Sequence, residues 1–159
     1  MSGLYRSGRP DGLYERDILA WSQHQADLLR RPGRGQRAND VDWTHVADEI
    51  EAVGRCELHA VESFLTSIAV RVLKLHAWSD CKTCGHRREE IVGFQIDANR
   101  RFTPSTRQRL KVEPLESDAL RQVRAGAAGM RFPADNPFTL DDLLTGDGDV
   151  LLNRLPPPA

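Results

Sequence analysis

The sequence predicts an all-α fold, an up-and-down bundle of four to five helices with one long central helix. Three observations predict it. Apolar residues recur at three- and four-residue steps along most of the 159-residue chain. Residues 43–75 contain no proline and carry a single apolar stripe. No segment of five or more residues alternates cleanly with β-branched residues, the pattern a half-buried strand requires.

The first helix is expected from Asp11 to Arg30, where Tyr14, Ile18, Trp21, Gln25 and Leu28 share one face. Pro32 and Gly33 end it, and Gly35 adds flexibility. Asn39, Asp40 and Asp42 are N-cap candidates for the next helix, because their side-chain oxygens can accept orphan backbone N–H groups. That second helix runs from Trp43 to about Leu75 on the stripe Val46, Ile50, Val53, Val61, Phe64, Ile68, Val72 and Leu75. Gly54 sits in its interior at a cost of about 1 kcal/mol relative to alanine. A helix of that length spans about 45 Å and cannot bury its stripe alone. Ile91, Phe94, Ala98 and Phe102 mark a third helix over about Arg87–Phe102. Thr103 and Pro104 then supply an N-cap and a first helical position. Pro114 interrupts this segment, and Leu115–Gly129 resumes the pattern. Thr139 to Asp142 resembles a capping box with Asp in place of Glu and opens a short helix through Leu144. The segment ending in Pro156-Pro157-Pro158-Ala159 is expected to be poorly ordered unless its leucines dock.

Bulk properties narrow the function classes. The chain carries 22 basic and 23 acidic residues, a formal net charge of −1. Such a balance supplies no global attraction to nucleic acid or to an anionic membrane. No apolar run approaches the ~20 residues that span a bilayer, and the N-terminus shows no apolar signal core. Three cysteines, an odd number, argue for reduced thiols and a cytoplasmic protein. One domain is expected over residues 11–145, with flexible termini at 1–10 and 146–159. Trp21, Trp43, Phe64, Phe94 and Phe102 stand at helical spacing as core or interface anchors.

Four stretches together carry a family signature: residues 14–30, with Trp21 and Gln25 four apart; residues 47–63, with Asp48-Glu49-Ile50-Glu51 and then Gly54; Leu73-Lys74; and residues 132–144, with Pro133, Pro137 and Leu143-Leu144. In their order and spacing, over about residues 13–145, the sequence resembles a bacterial family known only as domain of unknown function family 29. The chain departs from that family's pattern at Arg71, where the family often has His, and in lacking a Trp at the start of the third helix. The resemblance implies an all-helical fold and a bacterial source. It implies no activity.

Three constellations carry candidate chemistry. His76, Cys81, Cys84 and His86 fall within eleven residues, and a two-His, two-Cys set suits tetrahedral zinc. Cys84-x-His86 is tight for two ligands, and the C-x-x-C lacks the strand–helix setting of a redox motif. The segment therefore reads first as an interhelical connection and second as an ion staple. On the second helix His45, Glu49, Cys56, His59 and Ser63 lie within about 40° of one direction, away from the apolar stripe. His45, Glu49 and His59 are thus candidates for proton transfer, against the plainer reading of a solvated face. Finally, Arg71 and His76 match an arginine-to-histidine spacing similar to that of the helical HEPN ribonucleases, a spacing also expected by chance. No glycine-rich phosphate loop is present: Gly33-Arg34-Gly35 lacks a following Lys-Ser/Thr.

The sequence therefore favours a non-catalytic interaction or oligomerisation module with a protein partner or a second copy, no membrane or nucleic-acid target and no cofactor. The alternatives are a HEPN-like ribonuclease using Arg71 and His76, and a helical adaptor stabilised by zinc at His76, Cys81, Cys84 and His86.

Overall fold

Thirty-five residues without a proline, Trp43–Ala77, wind into one helix, as the apolar spacing predicts. The computed structural model describes residues 12–30, 43–78, 82–127, 132–133 and 137–156. Among these the fold is all-α, with no strand, in the order α1 Leu13–Arg16, α2 Ile18–Arg30, α3 Trp43–Ala77, α4 Cys84–Arg101, α5 Pro104–Arg109, α6 Val112–Gly126, α7 Leu140–Thr145 and α8 Gly148–Arg154. The side chain of Trp43 and the whole of Cys81 lie outside the described residues. The chain divides into two compact units, Met1–Leu58 with Thr103–Gln108, and His59–Phe102 with Arg109–Ala159. The helix α3 supplies residues to both.

In the first unit the expected single helix over 11–30 is broken at Asp17, whose backbone leaves the helical region at φ −154°. The reason is its carboxylate, which caps two helix starts. Asp17 Oδ1 accepts from Ala20 N at 3.0 Å in α2, and Oδ2 accepts from Ser105 N at 3.0 Å in α5. Thr103 completes the start of α5, its Oγ1 accepting from Thr106 N at 3.2 Å, the N-cap role its place before Pro104 predicts. Asp17 is buried. Burial raises its pKa, but hydrogen bonds from Ala20, Ser105 and Thr103 outweigh that, so the carboxyl titrates below its ordinary value of 3.8.

The packing face of this unit is rotated from the one hydropathy selects. In α2 the buried residues are Leu19, Ser22 and Ala26, while Tyr14 and Leu28 are exposed. In the first third of α3, Ala47 and Gly54 are buried while Val46 and Val53 are 36% and 45% exposed. The physical reason is a close approach: a Cβ on Gly54 would collide with Ser22 Oγ and lie 2.8 Å from Leu19 Cδ1 and 3.1 Å from Leu19 Cα. Small residues let the two helices meet backbone to backbone, so the larger valines turn outward. Arg30 then ties α2 to α3 at the surface, donating to Asp48 at 2.9 Å and Glu51 at 2.6 Å.

In the second unit α3 buries Val61, Leu65, Ile68, Val72 and Leu75 together with Ile91 of α4, Leu120 and Val123 of α6 and Leu143 of α7. The helix α6 begins at Val112, before Pro114, because a proline in the first turn lacks only an N–H that would go unpaired there. The capping box that opens α7 is complete: Thr139 Oγ1 accepts from Asp142 N at 3.1 Å and Asp142 Oδ2 accepts from Thr139 N at 2.9 Å. Asp142 Oδ1 also accepts from Arg154 Nη2 at 3.0 Å, which joins α7 to α8. At the other end of α7, Gln95 Nε2 donates to Leu143 O at 3.1 Å and Gly146 O at 2.7 Å, and Asn99 Nδ2 donates to Leu144 O at 2.9 Å. Two α4 side chains thus satisfy the carbonyls that the end of α7 leaves open. Beyond residue 145 the chain is helical over Gly148–Arg154, and Leu151 and Leu155 are buried.

Two outcomes are expected. Replacing Gly54 by Ala costs about 1–3 kcal/mol by overpacking, whereas Gly93→Ala, where an added Cβ meets nothing within 4 Å, gains up to about 1 kcal/mol of helix propensity; urea unfolding of the two variants measures both. Because the folded pKa of Asp17 lies below 3.8, its contribution is full above that value and is lost as pH falls through the lower folded one. Asp17→Asn therefore lowers stability at pH 7 by about 1–2 kcal/mol and flattens the stability–pH curve below the ordinary carboxyl value of 3.8, read from urea midpoints as the pH is lowered.

Candidate functional site

The turn of α3 that buries Val61, Leu65 and Ile68 carries a polar stripe on its flank at His59, Glu62, Ser63, Thr66 and Ser67. These positions follow the helical steps of three and four, so they form one continuous face. On α6, Pro114, Leu115, Asp118 and Gln122 present a second stripe, and the two together line a cleft of about 510 Å³. That volume is within the ~300–1,000 Å³ of ligand-sized sites. Leu115 is buried and gives the cleft an apolar patch; the remaining chemistry is two carboxylates, three hydroxyls, an imidazole and a carboxamide.

Among the described residues, none of the seven polar lining side chains takes part in a hydrogen bond or ion pair within the protein. Several hydroxyls on helices elsewhere in the chain do. Ser22 Oγ donates to Leu19 O at 3.0 Å, Ser117 Oγ to Glu113 O at 3.0 Å and Thr145 Oγ1 to Asp141 O at 2.9 Å. Back-bonding of this kind is the usual fate of a helical Ser or Thr. Ser63, Thr66 and Ser67 instead leave their donors and acceptors available to the cleft.

Of the polar positions singled out on α3, the structure brings only His59 and Ser63 into this cleft. His45, Glu49 and Cys56 lie nearer the helix start and are exposed. Glu62, Thr66, Ser67, Asp118 and Gln122 are additions that the structure makes. Their signal in the sequence is the unbroken polar run at helical steps from 59 to 67; which stripe of α6 faces it is a tertiary fact.

Arg71 and His76 are five residues apart, about 140° around the helix axis, and engage different groups. Arg71 donates to Glu90 from Nε and Nη2, both at 3.0 Å, and its guanidinium stands 5.3 Å from the Phe94 ring centre. The hydrogen bond from Arg71 holds the Glu90 carboxyl below the usual range, with burial opposing it. His76 Nε2 lies 2.7 Å from Pro156 O, and its Nδ1 is buried with no hydrogen-bond partner among the described residues.

The helix α4 starts at Cys84, three residues before the expected Arg87, so Cys84 and His86 stand on its first turn rather than in a loop, about 200° apart. Cys84 Sγ donates to Trp78 O at 3.3 Å, and the Arg87 guanidinium lies 5.8 Å from the Trp78 ring centre. His86 is exposed, with Nδ1 3.8 Å from Glu89. Among the described residues, no three His, Cys, Asp or Glu side chains converge to hold a metal ion, and no helix is long and apolar enough to cross a membrane.

The family model described as "Domain of unknown function DUF29" matches residues 13–147. No curated protein matches the chain. An alpha-helical protein of unknown function from Rhodospirillum rubrum is similar in structure, with a TM-score of 0.80 and 29% sequence identity over 91% of this chain and 98% of that one.

The Arg71–Glu90 pair, with both side chains about one-quarter exposed, is expected to couple α3 to α4 by about 1 kcal/mol. A double-mutant cycle on Arg71→Ala and Glu90→Ala, followed by chemical denaturation, measures that coupling directly.

Proposed function

The chain belongs to the DUF29 family of helical domains, and from that premise we propose that it is a non-catalytic interaction module whose partner seats in the cleft between α3 and α6. The observation that carries this reading is the set of unspent polar groups along the cleft. A helix that packs against a neighbour normally turns apolar groups toward it. Here two helices turn seven polar side chains toward a shared space and, among the described residues, hold none of them by internal bonds. Such groups cost nothing while solvated and become hydrogen bonds when a partner of matching shape displaces the solvent, as in the polar contacts of ordinary protein interfaces. The cleft also has direct access to solvent, since His59, Ser63, Asp118 and Gln122 are exposed. A second copy of the chain and a different protein are both accommodated by this reading.

Blocking the cleft tests it. Ser63 is exposed, so Ser63→Trp fills space without entering the core and is expected to leave the unfolding midpoint within about 0.5 kcal/mol of the wild type. Light scattering on the purified chain detects self-association, and size-exclusion analysis of native cell extract detects a complex with another protein. The expected result is an assembly larger than the monomer in the wild type that Ser63→Trp disrupts. A wild-type monomer in both measurements, or an assembly indifferent to Ser63→Trp, rejects the proposal.

A further inference from the structure

We infer that the segment seated in the α3–α6 cleft is a basic stretch of protein that places arginine or lysine side chains between Glu62 and Asp118. The inference rests on the interaction reading and adds the chemistry of the occupant.

Charge comes first. Each wall of the cleft contributes one carboxylate, Glu62 from α3 and Asp118 from α6, and among the described residues no lysine or arginine lines it. The groups around them, the hydroxyls of Ser63, Thr66 and Ser67 and the carboxamide of Gln122, all offer acceptor oxygens. Guanidinium and ammonium groups carry several donors and no acceptor, so they match this lining. A phosphate or a carboxylate would instead meet two like charges.

The carboxylates elsewhere sharpen the contrast. Asp48 and Glu51 receive Arg30, Glu90 receives Arg71, Asp142 receives Arg154 and Asp149 receives Arg88. Arginine is what this fold uses for most of the acids that face another element; Asp17, held by backbone N–H groups, is the exception. Glu62 and Asp118 face each other's helices with no such cation among the described residues. The partner supplies it.

Length comes next. The lining spans residues 59–67 and 114–122, about 12 Å along each helix at 1.5 Å per residue. That matches two turns of a helical segment, or four residues of an extended one. A small amine gains little from two solvated carboxylates, whereas a chain segment adds hydrogen bonds to the hydroxyls and contact with Leu115 and Pro114.

The test uses the full chain, isotopically labelled, and two helical peptides that are identical except at two positions four residues apart: both Arg in one, both Glu in the other. The Arg peptide is expected to shift the amide resonances of 59–67 and 114–122, and the Glu peptide to leave them in place. Glu62→Gln with Asp118→Asn is expected to weaken the Arg peptide about tenfold or more without moving the thermal midpoint. No shifts with the Arg peptide, shifts located elsewhere, or equal binding of both peptides overturns the inference. Displacement of the Arg peptide by an equal concentration of spermidine also overturns it, because the site is then one for a small amine. If Ser63→Trp disrupts an assembly while the Arg peptide is ignored, only the charge assignment falls. If the assembly ignores Ser63→Trp, the interaction reading falls with it.

Discussion

From Ile68 to Leu75 the long helix buries Ile68, Ala69, Val70, Val72, Leu73 and Leu75, an arc of about 220° at 100° per residue. No single neighbouring helix covers so wide an arc, so this stretch demands packing partners on several sides at once. Other buried apolar residues of the same unit are spread along the chain: Ile91 and Ala98 in α4, Leu115, Ala119 and Val123 in α6, Leu143 and Leu144 in α7, Leu151 in α8. The elaborate fastening of α7 follows from the same need. A six-residue helix has little stability of its own, and here it is held by a capping box at its start, by Gln95 and Asn99 on its last carbonyls and by Arg154 on Asp142. Those bonds keep two buried leucines in place against the core.

The same helix explains where the cleft lies and why it ends. Glu62 and Thr66 stand on one flank of α3; Ala69, Val70 and Leu73, which continue that flank by steps of three, four and seven, are fully or almost fully buried. Within about two turns the flank changes from polar and open to apolar and closed. The apolar stripe of Val61, Leu65 and Ile68 runs through both parts without interruption, so the helix is anchored beside the cleft by the same residues that anchor it beyond. A polar flank over a fixed apolar stripe is a rigid platform, because its side chains are free to turn while the backbone beneath them is not.

Much of the fold is legible in the sequence, and the parts that are not share a physical cause. The long helix, the Thr103 cap and the Thr139–Asp142 capping box depend on local chemistry, the spacing of a stripe or the reach of a side chain to the backbone three residues on, and each is found where its residues predict it. The packing face of α2 and of the first third of α3 is not local. Hydropathy points to Tyr14, Leu28, Val46 and Val53, all exposed, whereas the contact is made through Leu19, Ser22 and Gly54. A glycine reads as a weak helix position until the neighbouring backbone that needs its missing Cβ is known. Helix breaks have the same character: Asp17 ends α1 because its carboxylate reaches Ser105, 88 residues away. In the cleft, the polar run from 59 to 67 is visible as a pattern, but only the fold puts Asp118 and Gln122 opposite it.

The distribution of charge separates groups that hold the fold from groups that do not. With 22 basic and 23 acidic residues, nearly every acid has a cation to find, and several find an arginine on a different helix. The exposed pairs, such as Arg30 with Asp48 and Arg88 with Asp149, are screened by solvent and add little stability; their value is in orienting surfaces already brought together by apolar packing. Asp142 differs, because it is buried and its three contacts, to the backbone and the hydroxyl of Thr139 and to Arg154, keep its carboxyl below its ordinary titration range. Glu62 and Asp118 stand apart from both kinds. They have neither an arginine nor a backbone N–H among the described residues, yet they flank a cleft beside the buried stripe of Val61, Leu65 and Ile68. A carboxylate in that position makes no hydrogen bond or ion pair among the described residues, so its reason for being there is sought in what enters from outside.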